Sequence, residues 1–303
     1  MVFEHRNFVF DSEETSLMFK QRPNQFFQIL ENMADDQLDL AAKAFKASAN
    51  YEEARPTYSV ESVRFLLENV GILEEKEMKS QPRTILELGC GTGKFTRILM
   101  EVLKDTDTRV IATDPLENML KEFRKIFPNF EVEQSSAENI AFPDSSVDVV
   151  LAAHCFHWFA NEEAVKEIYR VLTPQGTLGM IWALPDESVP WLKEMMTFFH
   201  PLEEDFKCTI SKETMDKVFE EVGKLFTIEK ESGKKTSWHL SYDGCYKYFV
   251  SKGIIQRGTD EVKCQFKTWF DYIIGKHFPN SEGKESITFP LAYLICWCKK
   301  KKL

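Results

Sequence analysis

Between Ser59 and Leu184 short apolar runs alternate with stretches whose apolar residues recur every three or four positions. That alternation is the signature of βαβ units around a mostly parallel sheet. Val60, Val63, Leu66, Leu67 and Val70 predict a first amphipathic helix. Apolar runs then predict strands at Thr84–Leu88, Arg109–Thr113, Phe130–Gln134, Val147–Ala153 and Thr177–Ala183. Between them, Phe95/Ile98/Leu99/Val102, Leu116/Met119/Leu120/Phe123/Phe127 and Ala164/Val165/Ile168/Val171/Leu172 repeat at helical spacing. Asn161 is placed to cap the last of these, with Glu162 and Glu163 at its positive end.

After Pro185 the alternation weakens. Val189–Phe199, Ser211–Leu225 and Tyr242–Ser251 predict helices, and Thr227–Lys230 and Ile287–Cys298 predict strands. Residues 1–58 carry helical stretches and many aromatics but no strand pattern, so they are expected to form a helical cover over one end of the sheet. The expected organisation is an N-terminal extension over 1–58 and one domain over 59–303. Residues 59–184 would form the core of that domain, and 185–303 the substrate-side helices and closing strands.

Composition narrows the function. At 303 residues, 43% hydrophobic and 28% charged, the chain has an ordinary globular make-up. A formal charge of -10 argues against nucleic-acid partners, which need a basic face to replace phosphate counterions. The basic cluster Lys299–Lys302 reads as the solvated end of the final strand, and the preceding run Phe289–Cys298 is shorter than the ~20 residues of a membrane span. Met1-Val-Phe-Glu-His-Arg6 carries charge where a signal peptide is apolar, so a cytoplasmic protein is expected. The seven cysteines are scattered without a C-x-x-C pair, so they are expected to be reduced thiols without a metal.

Ligands of open parallel sheets bind beyond the carboxyl ends of the strands, where strand order reverses. After the first strand stands Gly89-Cys90-Gly91-Thr92-Gly93. Its glycines permit a sharp turn and close approach of backbone to a ligand, and the following helix offers free N–H groups. A dinucleotide fingerprint needs glycine three residues beyond Gly91, but Lys94 stands there, so the spacing favours S-adenosylmethionine. Glu87, at the strand end, suits the cofactor's ammonium. Asp114, ending the second strand, suits ribose hydroxyls and also a helix N-cap before Pro115.

Ser136-Ala137-Glu138, after the third strand, has the groups to read an adenine edge, with Met119 and Phe156 packing on its faces; Met119 also fits the helix's core stripe. The fourth strand runs into Ala153-His-Cys-Phe-His-Trp-Phe159. The H-x-x-H pair within it has no third ligand nearby and is weak evidence for a metal. His154 is expected near the cofactor, with His157 and Trp158 facing the acceptor, against the plainer reading of an aromatic core cluster.

Ile85-Leu-Glu-Leu-Gly-Cys-Gly-Thr-Gly93, Asp114-Pro115, Ser136-Ala-Glu138, Phe142-Pro-Asp144, His157-Trp-Phe159 and Arg170-Val-Leu-Thr-Pro-Gln-Gly176 resemble the class I methyltransferases. Within them, the resemblance is to the small-molecule branch that contains trans-aconitate methyltransferases. It implies a Rossmann-like seven-stranded sheet, helices on both faces, and an antiparallel last strand. Tyr51-Glu-Glu-Ala-Arg-Pro-Thr-Tyr58 resembles the segment that closes over the cofactor in that branch. There the resemblance puts Tyr51 near the sulfonium and Arg55 near the methionine carboxylate.

Methyl transfer from a sulfonium is an in-line displacement with a good neutral leaving group, so alignment dominates. A carboxylate acceptor needs no base, whereas a hydroxyl or amine needs His154 or His157 to take a proton. The expected activity is methylation of a small molecule, at a carboxylate or hydroxyl oxygen. The rival readings are a protein or RNA methyltransferase and a non-catalytic binding protein on the same fold.

Overall fold

The computed structural model describes residues 55, 57–73, 82–200, 210–256, 258–279 and 286–302. Tyr51 and nearly all of the 1–58 cover lie outside them. In chain order the elements are α1 (Val60–Asn69), β1 (Thr84–Leu88), α2 (Lys94–Leu103), β2 (Arg109–Asp114), α3 (Glu117–Ile126), β3 (Val132–Gln134) and β4 (Val147–Ala153). A 3-10 turn over Phe156–Trp158 precedes α4 (Glu162–Val171) and β5 (Leu172–Pro185). The remainder is α5 (Pro190–Met196), α6 (Lys212–Leu225), β6 (Phe226–Glu231), β7 (Lys235–Leu240), α7 (Tyr242–Val250), α8 (Gly253–Gln256), α9 (Asp260–His277) and β8 (Ile287–Lys300).

The sheet runs β3-β2-β1-β4-β5-β8-β6. The first five strands pair in parallel, and β8 is antiparallel to β5. The strand count differs from the expected seven, because fourteen-residue β8 is long enough to pair two short strands end to end. Its half from Ile295 to Lys300 pairs β6, and its half from Ile287 to Ala292 pairs β7. The sheet is thus seven positions wide and holds eight strands among the described residues.

Alternation along the strands sends successive residues to opposite faces. Ile85, Val149, Ile181 and Ile295 join α1 and α2 in one core; Leu86, Val150, Trp182 and Cys296 join α4 and α6 in the other. Helix starts follow their capping residues: the side chains of Ser59, Asn161, Ser211, Ser241 and Thr259 each accept a hydrogen bond from a backbone N–H of the first turn. A third core, rich in aromatics, gathers α5, α7, α8, α9 and the first half of β8 beyond the carboxyl end of β5. It includes Trp191, Phe198, Phe199, Phe249, Phe266, Phe270 and Phe289, and it supports the far wall of the site described next.

Candidate functional site

The chain order β1-β2-β3 grows one way from β1 and then returns to β4 on its other side, so the β1/β4 boundary is the switch point. A cavity opens there, lined by Glu87, Gly89, Cys90 and Gly91 at and after the end of β1 and by Asp114, Pro115 and Leu116 at and after the end of β2. Met119 of α3, Ala153–Cys155 after β4, and Trp158, Phe159 and Ala183 also line it. Arg55, Tyr58, Thr92, Lys94, Phe95 and Tyr248 complete the lining.

The glycine loop is held open by its backbone. Gly89, Gly91 and Gly93 have φ of 64°, 57° and 92°, values that disfavour any residue with a Cβ. At Gly91 a Cβ would meet nothing within 4 Å, so it would project into open space; at Gly93 it would come 2.6 Å from Phe127. Gly93 serves α2 as a left-handed N-cap and faces the α3 aromatics, without itself lining the cavity. Asp114 ties the loop to β2: its carboxylate accepts the Gly91 N–H at 2.9 Å and the Leu116 N–H at 2.9 Å. Asp114 is not the helix N-cap that was expected: α3 starts at Glu117 with Leu116 as its N-cap and without a side-chain cap, and Asp114 holds the turn before it.

Glu87 and Asp114 are 1% and 6% exposed. Burial pushes the Glu87 carboxyl up to about 8, against a hydrogen bond from Thr96 that favours its ionised form. Burial likewise raises Asp114 to about 6, opposed by its two backbone donors. The Cys90 and Cys155 thiols, raised by burial and by these carboxyls, stay protonated. Burial also pushes His154 well below the usual imidazole range, helped by Arg55, His157 and Lys252. Among the described residues His154 is one of two non-glycine residues at positive φ, at 57°, and its N–H donates to Ile181 O at 2.8 Å.

Several expected residues sit elsewhere. His157 is 5% exposed and does not line the cavity; the Trp182 Nε1–H donates to its Nδ1 at 3.3 Å, and burial drops it to about 3. Phe156 is wholly buried in the α4-side core, and Met119 serves both core and cavity. Ser136, Ala137 and Glu138 form a tight turn away from the lining. Ala137 is buried, and the exposed Glu138 accepts from Asn161 Nδ2 at 2.9 Å. Arg170 pins the loop after this turn, donating to Ile140 O, Phe142 O, Asp144 and Glu167. That network gives Arg170 and Phe142-Pro-Asp144 a structural reason to exist, and the Asn161 contact gives one to Glu138.

Arg55 donates from Nη2 to Ser251 O at 3.1 Å, and its guanidinium lies 5.7 Å from the centre of the Tyr248 ring. This brings the segment before α1 onto the end of α7. Tyr248 had no motif to announce it; its only signal is its place on the buried stripe Cys245/Tyr248/Phe249 of α7. Phe95 was legible only as a core residue of α2, and it meets Tyr58 edge-to-face at 5.2 Å. Among the described residues no group of three metal-ligating side chains occurs, and no helix is long and apolar enough to cross a membrane.

A family profile described as a methyltransferase domain matches residues 86–180. The uncharacterized methyltransferase C25B8.10 of Schizosaccharomyces pombe is 46% identical over 162 residues, spanning 53% of this chain and 58% of that protein. A solved protein assigned as a type II methyltransferase from Anaeromyxobacter dehalogenans superposes with a TM-score of 0.54 at 19% identity, covering 81% of this chain and 97% of that one. The YcgJ protein of Bacillus subtilis superposes at 0.50 with 18% identity, covering 81% and 100%. The uncharacterized methyltransferase C25B8.09 of Schizosaccharomyces pombe is 35% identical over 257 residues, covering 82% of this chain and 94% of that protein. The likeness thus extends well beyond the residues that the profile matches, and the chain belongs to the class I S-adenosylmethionine-dependent methyltransferases.

Proposed function

We propose that this protein transfers a methyl group from S-adenosylmethionine to an oxygen of a small molecule. The cofactor fits the residues present: Gly91 leaves room that a side chain would fill, and two buried carboxyls meet the same cavity. When bound, adenosylmethionine supplies an electrophilic methyl on a cationic sulfur. Asp114 would hold the ribose hydroxyls and Glu87 the ammonium, with Leu116 and Met119 offering apolar contact to the base. Gly89 and Gly91 keep the loop backbone low enough for close approach. Both imidazoles nearby are held neutral, so neither opposes a cationic ligand.

The single observation that favours a small acceptor is the way Arg55 and Tyr248 meet across the cavity that Trp158, Phe159 and His154 also line. A pocket walled by aromatics with a few polar groups suits a compact organic acceptor, not a polymer strand. His154, the histidine on the cavity wall, is assigned to orient the acceptor and take its proton when that acceptor is a hydroxyl. His157 is assigned to hold Trp158 and Trp182 from behind. Substituting His157 by Ala is therefore expected to lower thermal stability by about 2 kcal/mol, roughly 5 °C, and to leave the shape of the pH–rate profile unchanged. Loss of one limb of that profile would return the base to His157.

Cofactor binding should release protons. In the free protein Glu87 titrates near 8, so at pH 7 it is mostly protonated; an arriving ammonium favours the carboxylate. Affinity for adenosylmethionine is thus expected to rise as pH goes from 6 to 8, by up to about tenfold per unit, and to level off above 8. Calorimetry in buffers of different ionisation enthalpy reads the released proton directly. No detectable binding at any pH would overturn the methyltransferase reading, whereas binding without methyl gain across a panel of small carboxylates and alcohols would overturn the acceptor assignment.

A further inference from the structure

Glu87 stands at the floor of the cavity with one side-chain hydrogen bond among the described residues. Thr96 Oγ1 donates to its Oε2 at 2.8 Å. Thr96 is 0% exposed, in the first turn of α2, and does not line the cavity. Its hydroxyl has no capping duty to explain it, since α2 begins on Gly93 without a side-chain cap. A buried hydroxyl aimed at a buried carboxyl does two things. It fixes the rotamer, leaving the other oxygen to the cavity, and it favours the ionised form.

We propose that Thr96 is a positioning residue for the cofactor, holding the Glu87 carboxyl in place and favouring its charged form when the ligand's ammonium arrives. The inference rests on the adenosylmethionine reading above and adds a residue that never touches the ligand. Without Thr96, Glu87 would sit in an apolar floor with no donor and would hold its proton more tightly still, so the arriving ammonium would ionise it at a larger cost. A hydrogen bond to a charged group contributes ~1.5–3 kcal/mol, which corresponds to about tenfold or more in affinity. The effect should be confined to the amino-acid end of the cofactor. The adenosine end is served by Asp114, whose hydrogen bonds to Gly91 and Leu116 do not involve Thr96.

The test uses the full chain with Thr96→Val and Thr96→Ser, and two probes. S-adenosylhomocysteine carries the ammonium, and 5′-methylthioadenosine lacks the amino-acid tail. Thr96→Val is expected to weaken S-adenosylhomocysteine about tenfold at pH 7, with the deficit shrinking towards pH 9 as Glu87 ionises without help. Binding of 5′-methylthioadenosine should stay within about twofold, and Thr96→Ser should restore both probes. Equal weakening of the two probes would mean that α2 has merely been disturbed, and it would overturn the proposal; so would unchanged binding of both. A second readout needs no ligand. The 13C carboxyl signal of Glu87, assigned through Glu87→Gln, should titrate at higher pH in Thr96→Val, and an unmoved titration would overturn the proposal. If the unaltered protein binds neither probe, the cofactor reading itself falls, and an upward Glu87 titration in Thr96→Val would then mark Thr96 as a partner of Glu87 with no cofactor role.

Discussion

Substituting Asp114 by Ala is expected to weaken adenosylmethionine binding by about a hundredfold or more while the protein stays folded. Two opposing terms set the effect on stability. The carboxylate accepts two backbone N–H bonds, from Gly91 and Leu116, each worth ~1.5–3 kcal/mol as a charged acceptor. Yet burial penalises the same charge enough to raise its pKa to about 6, so removing it also removes a desolvation cost. These terms largely cancel in the ligand-free protein, and the thermal midpoint should move by only a few degrees. No such cancellation protects binding. Without Asp114 nothing ties the Gly91 N–H to β2, the glycine loop loses its set shape, and the acceptor proposed for the ribose hydroxyls is gone. A fall of about a hundredfold or more in affinity is expected by calorimetry. Asp114→Asn should fall between, because its amide oxygen can serve one backbone donor while its NH2 group faces the other. If Asp114→Ala binds within tenfold of the unaltered protein, Asp114 is a loop anchor alone.

The division between what could be read from the residues and what could not follows the range of the interactions involved. β1, β2 and β4 were legible because a strand buried on both faces is a continuous apolar run, and the loop at Gly89–Gly93 because three positive-φ positions require glycine. Asn161 was legible as a cap because its partner, the Ala164 N–H, lies three residues away. β7 was not: Lys235–Leu240 is half exposed and is defined by pairing to Ile287–Ala292, about fifty residues on. Helix α9 was also missed. Its buried Val262, Phe266, Phe270, Ile273 and Ile274 follow helical spacing, but Trp269, Tyr272 and Cys264 fill its other faces and blur the polar contrast.

The same distinction holds at the site. Residues at or directly after a strand's carboxyl end, such as Glu87, Asp114 and His154, reach the cavity because the parallel sheet delivers them there. His157 and Phe156 lie only two or three residues beyond His154, but the 3-10 turn rotates them into the core while returning Trp158 and Phe159 to the wall. Ser136–Glu138 follows three-residue β3 at the sheet edge and turns towards Asn161. Tyr248 depends on tertiary packing of α7 against β8, which no local pattern encodes.

His154 offers the sharpest separation of stability from activity. Its φ of 57° puts a Cβ-bearing residue in the left-handed region, at a cost of ~1–2 kcal/mol. The turn is held from both sides, by the His154 N–H on Ile181 O and by the Cys155 Sγ–H on Leu88 O at 3.1 Å, so the strain cannot relax. His154→Ala keeps the strained Cβ and deletes the imidazole; His154→Gly deletes both. Glycine's extra freedom in the unfolded chain costs it ~0.4–1 kcal/mol, so His154→Gly is expected to be the more stable of the two by up to about 1 kcal/mol, read from denaturant midpoints. Activity should not follow that order. If the imidazole orients the acceptor and takes its proton, both variants lose about a hundredfold in kcat/KM with a hydroxyl acceptor, with unchanged adenosylmethionine affinity. With a carboxylate acceptor the loss should be smaller, since orientation alone is removed. Should His154→Gly keep full activity, the left-handed turn would be needed only to place Cys155 against Gly89, where a Cβ would lie 2.8 Å from the sulfur, and glycine at 154 would serve that turn better than histidine does.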